Sequence, residues 1–211
     1  MSSAAPVRRG PDFVRVPGPI ANGLRIGLLG GSFNPAHEGH VHASDLALKR
    51  LNLDFVWWLV SPQNPLKPQR GMAEFSHRLA GAKAQAHHPR IRVTNLESGL
   101  RTRFTLDTVR ALKRRFPGLR FVWLMGSDNL VELPRWRRWR EIFHELPIAV
   151  VARPGSALRA RVSKAATTFR RAAVLADFRV PLAVPPAWTI LEGRRNPASA
   201  TALRAASASR Q

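Results

Sequence analysis

Two histidines three residues apart, His37 and His40, stand in a stretch that opens with Gly30-Gly31 and continues Ser32-Phe33-Asn34-Pro35-Ala36-His37-Glu38-Gly39-His40. Each residue type there has a use against an anion. Paired glycines let the backbone approach a ligand closely, and free amides at the start of a following helix receive phosphate oxygens. Imidazoles at a spacing of three point to one side if the stretch is helical, within reach of a single phosphate group. A metal site would need a third ligand of suitable spacing, and Glu38 faces away on the same turn, so no protein-ligated metal is expected. One histidine alone reads as a hydrogen-bonding loop staple. Two of them around a glycine, after a Gly-Gly turn, fit that reading poorly.

Such a loop works only if a strand delivers it and a helix leaves it. Leu24 to Leu29 is a short apolar run that ends in Gly30-Gly31, the pattern of a buried strand entering a tight loop. Residues 39–51 carry apolar positions 41, 46, 48 and 51 with Ala43 and Ala47, which predicts a helix with one buried face. Phe55 to Val60 and Phe121 to Met125 are unbroken apolar runs stopped by Ser61-Pro62 and Gly126, hence two more core strands, the former parallel to the first. Helices are expected over 73–88, 105–116, 136–145 and 156–171, with a short strand at 91–93 and another at 148–152. This alternation predicts a single-domain α/β fold, a Rossmann-like doubly wound parallel sheet, with its ligand crevice beyond the carboxyl ends of the strands. The loops at 30–38, 61–70, 126–129 and 153–155 all follow strands and should converge there. Trp57, Trp58, Trp123, Trp139 and Trp188 read as core residues.

Composition narrows the ligand. Lys and Arg number 34 against 13 Asp and Glu, a formal charge of +21, which makes a field attractive to nucleotides, pyrophosphate or nucleic acid alike. Arginine doublets at 8–9, 114–115, 137–138, 170–171 and 194–195 are spread along the chain, so a solvated basic surface accounts for them better than a dedicated nucleic-acid patch. The absence of cysteine excludes disulfides, thiolate metal sites and thiol nucleophiles. No apolar run approaches the ~20 residues of a membrane-spanning helix. Residues 1–22, with prolines at 6, 11, 17 and 19, read as a disordered basic tail ahead of a domain at 23–211, with neither a secretory signal nor a targeting helix, so a soluble cytoplasmic protein is expected.

The eleven-residue string from Gly30 to His40 resembles the signature of the HxGH nucleotidylyltransferase superfamily, in the form GG-x-F-N/D-P-x-H-x-GH typical of nicotinate-nucleotide adenylyltransferases. Further stretches follow in the family's order. Pro62-Gln63-Asn64-Pro65-Leu66-Lys67 is similar to a loop ending in a basic residue, with NPLK where PPHK is usual. Phe104-Thr105-Leu106-Asp107-Thr108 resembles Y-T-x-D-T, phenylalanine replacing tyrosine at the loss of a hydroxyl. Met125-Gly126-Ser127-Asp128 and Leu133-Pro134-Arg135-Trp136 resemble the GxD and LPxW elements. Ser199-Ala200-Thr201-Ala202-Leu203-Arg204 resembles S-[SA]-T-x-[IL]-R. A further C-terminal helical stretch is usual in the family, whereas only Ala205 to Gln211 follow here. Taken alone, Thr105 and Asp107 could cap a helix and Trp136 could be core.

The resemblance implies adenylyl transfer from ATP to nicotinate mononucleotide, giving the dinucleotide and pyrophosphate. His37, His40, Lys67 and Arg204 would be catalytic, holding and stabilising the phosphates. Gly30, Gly31, Ser32, Phe33, Gly126, Asp128, Arg153, Ser199 and Thr201 would bind ATP, and Asn64, Phe104, Thr105 and Trp136 the acceptor, Trp136 by stacking on the pyridine ring. Mg2+ would arrive with ATP, held by phosphates and water. Nicotinamide mononucleotide or phosphopantetheine as acceptor is an alternative within the superfamily. From another class, the charge could mark a basic RNA-binding protein with a degenerate nucleotide fold, which would show steeply salt-dependent binding and no pyrophosphate release.

Overall fold

The computed structural model describes residues 18, 20–62, 71–174 and 177–193. The opening apolar run becomes β1 (Arg25–Gly31). Its side chains divide between two cores, Ile26 and Leu28 on one face of the sheet and Leu29 on the other. Beside it lie β2 (Phe55–Val60), β3 (Ile91–Thr94), β4 (Arg120–Gly126), β5 (Ile148–Val151) and β6 (Trp188–Leu191). Among the described residues these make one six-stranded sheet of order β3-β2-β1-β4-β5-β6, every pairing parallel. Burial on both faces explains why β2 and β4 read as unbroken apolar runs and not as alternating ones.

The helices are α1 (Glu38–Arg50), α2 (Phe75–Gln85), α3 (Leu96–Gly99), α4 (Thr105–Arg115), α5 (Ser127–Glu132), α6 (Trp139–Glu145), α7 (Ala157–Arg161) and α8 (Lys164–Thr168). α1 and α2 close one face, burying Ala47, Leu48 and Ala82 with Trp58, Val60 and Leu124. α4, α6 and α8 close the other, where Val109, Leu112, Ile142, Phe143 and Ala165 meet Ile26, Trp57 and Trp123. None of the helices among the described residues is long and apolar enough to cross a membrane.

The expected doubly wound sheet is therefore present, with local differences: α3 and α5 carry no sequence expectation, and α5 starts at Ser127, inside the loop expected over 126–129. The helix expected over 136–145 starts at Trp139, because Trp136 is extended (φ −77°, ψ 142°) and Arg138 is left-handed (φ 54°, ψ 38°). The helix expected over 156–171 divides into α7 and α8 at Ser163, whose hydroxyl accepts the Ala166 amide and starts a new helix. β6 carries no sequence expectation at all.

Strand order reverses at β1: the chain winds outward through β2 and β3, then returns to β4 on the opposite side. Ligands of open α/β sheets bind in the crevice at such a reversal, and the Gly30–His40 loop leaves the sheet there. Gly30 is held small by Trp123. A Cβ at Gly30 would lie 2.7 Å from Cη2 of that ring, which is itself only 2% exposed. Gly30→Ala should therefore cost about 1–3 kcal/mol through overpacking. The check is the urea midpoint, and an unshifted midpoint would mean that the ring can retreat.

Candidate active site at the switch point

The loop after β1 is built around its two imidazoles. His37 is the N-cap of α1: its Nδ1 accepts the Gly39 amide at 3.0 Å, and its own amide donates to Nδ1 of His40 at 3.2 Å. This is the reciprocal geometry of a capping box, made with histidines in both positions. Since Nδ1 is the acceptor on each ring, the proton of each neutral imidazole sits on Nε2. The ring centroids are 3.9 Å apart. Burial holds the His37 pKa down at about 4, the positive charge of Arg153 adds to this and Glu38 opposes it, so His37 is a neutral donor at physiological pH.

His40 is wedged in place by aromatic rings. Its centroid is 4.6 Å from Phe33 and 5.8 Å from Trp58, and Phe33 stacks on Trp58 at 5.1 Å. Ser44 accepts Trp58 Nε1–H at 2.7 Å and donates to the His40 carbonyl at 2.8 Å. Phe33 is buried and has φ 46°, a left-handed backbone, and its ring packs into the core. Ser32 is buried too.

On the neighbouring strand, β4 ends at Gly126, where a Cβ would lie 2.4 Å from Asp128 Oδ1 and 2.7 Å from Arg153 Nε. The missing side chain is what lets Asp128 and Arg153 pair, Nη1 to Oδ2, at 3.3 Å. The Arg153 amide donates to Ser127 Oγ at 2.9 Å, and Ser127 and Ser156 share a 2.7 Å hydrogen bond. Loops after β4 and β5 thus meet, and Arg153 stands close enough to the loop after β1 for its charge to act on His37; most of the expected 61–70 loop lies outside the described residues. Lys67, Asn64, Ser199, Thr201 and Arg204 lie outside the described residues.

On the opposite face, α4 begins at Thr105. The N-cap is Phe104, with no side-chain cap bond, so Thr105 does not cap this helix. The Arg137 guanidinium lies 4.7 Å from the Phe104 ring centroid. Trp136 is half-buried, unlike the core tryptophans, and meets Trp123 edge-on at 6.5 Å. The acceptor candidates Phe104, Thr105 and Trp136 all have partly exposed surface.

A cytidylyltransferase-like family model matches residues 28–206. A protein of Parvibaculum lavamentivorans described as "Probable nicotinate-nucleotide adenylyltransferase" is 55% identical over 88% of this chain and 93% of its own length. One of Methylorubrum extorquens with the same description is 51% identical over 86% and 99%. Among solved structures, Plasmodium falciparum nicotinic acid mononucleotide adenylyltransferase complexed with NaAD shares the fold, with TM-score 0.65 at 17% identity over 86% of this chain and 83% of that one. The chain belongs to the cytidylyltransferase-like family, and within it to the nicotinate-nucleotide adenylyltransferases.

Two buried charged residues beside the site carry no motif and were not anticipated. Arg78, 3% exposed, donates to backbone carbonyls of both the β1 and β2 loops. Glu97, 8% exposed, accepts from Thr108 Oγ1 at 3.2 Å, and Thr108 is bonded to Thr102. Burial pushes the Glu97 carboxyl up to about 7, against hydrogen bonds from Thr108 and Ser61 that pull it down. The folded chain then holds this proton more tightly than the unfolded one, whose ordinary value is 4.5. The associated stability is fully present below pH 4.5 and is lost as pH rises through 7, by at most about 3 kcal/mol. Urea titrations at pH 5 and pH 8 should show Glu97→Gln losing less stability than the parent over that interval. Equal losses would mean that Glu97 titrates normally.

Proposed function

We propose that the chain transfers the adenylyl group of ATP to nicotinate mononucleotide, in the cytoplasm, giving nicotinate adenine dinucleotide and pyrophosphate. The observation that carries this reading is the pair of closely apposed imidazoles at the start of α1, tilted at 43° to each other and both with Nδ1 committed, at the point where the strand order reverses.

A phosphate oxygen of the acceptor attacks the α-phosphorus of ATP, the bond from that phosphorus to the α,β-bridging oxygen breaks, and pyrophosphate leaves with the electron pair. The nucleophile is already ionised at neutral pH, so the barrier lies in bringing anions together and stabilising the leaving group. Positioning and preorganised positive dipoles address both. His37 and His40 donate Nε2–H to the phosphates; the low pKa of His37 keeps its ring neutral and the Gly39 amide on Nδ1 fixes its tautomer. Gly30, Gly31, Ser32 and Phe33 supply backbone contact, and Gly126, Asp128 and Arg153 hold the adenylate half. Lys67, Ser199, Thr201 and Arg204 complete the triphosphate site. Magnesium is part of the substrate, entering on the phosphates of ATP.

The acceptor ring stacks on Trp136, with Asn64, Phe104 and the start of α4 at Thr105 around it. An amide group of that helix N-terminus favours a carboxylate over a carboxamide. Pyrophosphate release measured with ATP and either nicotinate or nicotinamide mononucleotide tests the assignment: the nicotinate reaction should dominate, and release with neither would overturn it. His40→Ala should lower turnover by about two orders of magnitude, whereas near-normal turnover would remove His40 from the mechanism. Trp136→Ala should raise the KM for nicotinate mononucleotide about tenfold and leave that for ATP alone, since stacking acts on one substrate only. An unchanged acceptor KM would make Trp136 structural.

A further inference from the structure

Arg78 lies on α2, outside every motif. Its guanidinium donates four hydrogen bonds, each to a backbone carbonyl: Nη1 to Ser32 at 2.6 Å and to Ser61 at 2.8 Å, Nη2 to Pro62 at 2.8 Å, and Nε to Ala73 at 2.9 Å. Three segments are joined in this way: the loop after β1, the end of β2, and the approach to α2. A second strap runs parallel to the first. Asn34 Nδ2 donates to the Gly71 carbonyl at 3.0 Å, and Asn34 Oδ1 accepts the Ala73 amide at 3.2 Å. The connection that leaves at Pro62 and returns at Gly71 is therefore tied at both ends to the Ser32–Asn34 turn.

We propose that Arg78 is a positioning residue for the triphosphate, its guanidinium setting the Gly30–Ser32 loop at a fixed distance from both ends of the connection that follows β2. The proposal rests on the reading of the β1 loop as the ATP phosphate site. Burying a guanidinium is expensive, and desolvation lowers the Arg78 pKa, yet Arg stays protonated in proteins. Carbonyl dipoles satisfy its donors without cancelling its charge, as a carboxylate would. A net positive charge thus remains directly behind the loop. Its bond to the Ser32 carbonyl also polarises the Ser32–Phe33 peptide, strengthening the Phe33 amide as a donor on the other side. The planar fork is needed to span the segments; an ammonium at the same place is a single point with three donors.

Steady-state kinetics and thermal melts of the full chain with Arg78→Lys test this. The lysine keeps the charge and loses the span. The KM for ATP and the inhibition constant of pyrophosphate should both rise about tenfold, while the KM for nicotinate mononucleotide stays within about twofold. A lowered Tm with both ATP-side constants unchanged would make Arg78 a structural cross-link and overturn the proposal. If Arg78→Lys does not fold, Asn34→Ala carries the test by cutting the other strap: the same selective rise supports the proposal and unchanged constants overturn it. Failure of the underlying reading looks different, because the parent chain itself would then show neither ATP turnover nor pyrophosphate inhibition.

Discussion

The hydrogen bond from the Gly39 amide to His37 Nδ1 sets the conditions for everything else at the switch point. It satisfies one of the orphan donors of α1, a task usually given to Ser, Thr, Asp or Asn. Through the same contact it fixes where the imidazole proton sits. A carboxylate cap would do the first and ruin the second, placing negative charge where phosphates must come. A hydroxyl cap would be neutral and could also donate, as Ser44 does, but from the same atom, so its proton would not be carried to the far side of a ring. Imidazole accepts from a helix amide with one ring nitrogen and donates to an anion with the other, across the width of a rigid ring. The burial that keeps His37 neutral is therefore part of the same design as the cap: a protonated ring could not accept from Gly39.

Holding two such rings 3.9 Å apart needs a rigid wall, and the wall is aromatic. Phe33 and Trp58 stack beneath His40, and Ser44 bridges the indole N–H to the His40 carbonyl. Phe33 reaches that position through a left-handed backbone that a bulky residue adopts only when its surroundings enforce it. Acidic residues are scarce in this chain, 13 against 34 bases, so cations are shared out sparingly. Between α4 and α6, Arg110, Lys113 and Arg138 converge on Glu141 and Glu145. Where no carboxylate is placed, as at Arg78, carbonyl oxygens take over and positive charge is left in excess, which suits a site for polyanions.

What was legible in the sequence follows from how local each signal is. β1, β2 and β4 announce themselves because strands buried on both faces are unbroken apolar runs, and α1 because His37, Glu38 and its apolar stripe lie within one short segment. β6 did not, since four residues hemmed by Pro181, Pro185 and Pro186 read as loop until β5 supplies the partner strand. The break at Arg138 is likewise invisible, because nothing in Trp136-Arg137-Arg138-Trp139 forbids a helix. At the candidate site, the side-by-side placing of His37 and His40 at a helix start was legible from the whole Gly30–His40 string between a strand and a helix. Arg78 and Glu97 were not, because each acquires its meaning from atoms elsewhere in the chain: Arg78 from a carbonyl 46 residues away, Glu97 from a hydroxyl 11 residues on. A charged residue on an amphipathic helix looks solvated until the fold covers it.

The two substrate regions proposed above flank the centre of the sheet, and Trp123 on β4 touches both, Gly30 on one side and Trp136 on the other. The outer corner of its ring comes so close to β1 that Gly30 has no room for a side chain, and it meets Trp136 edge-on, 6.5 Å away at 90°. A displacement of the loop at Gly30, the proposed phosphate loop, would therefore be felt at Trp136, since a Trp123 ring only 2% exposed in a close-packed core has nowhere else to move. Reaction between two anions demands that the acceptor phosphate arrive in line with the α-phosphorus, and a shift of an ångström between the two half-sites would spoil it. One rigid indole touching both halves fixes that spacing without a single polar contact. This also gives a physical reason for the second glycine constraint at Gly126, on the strand that carries Trp123. The strand that sets the distance between the half-sites must also end close enough to Arg153 and Asp128 for the third loop to join them.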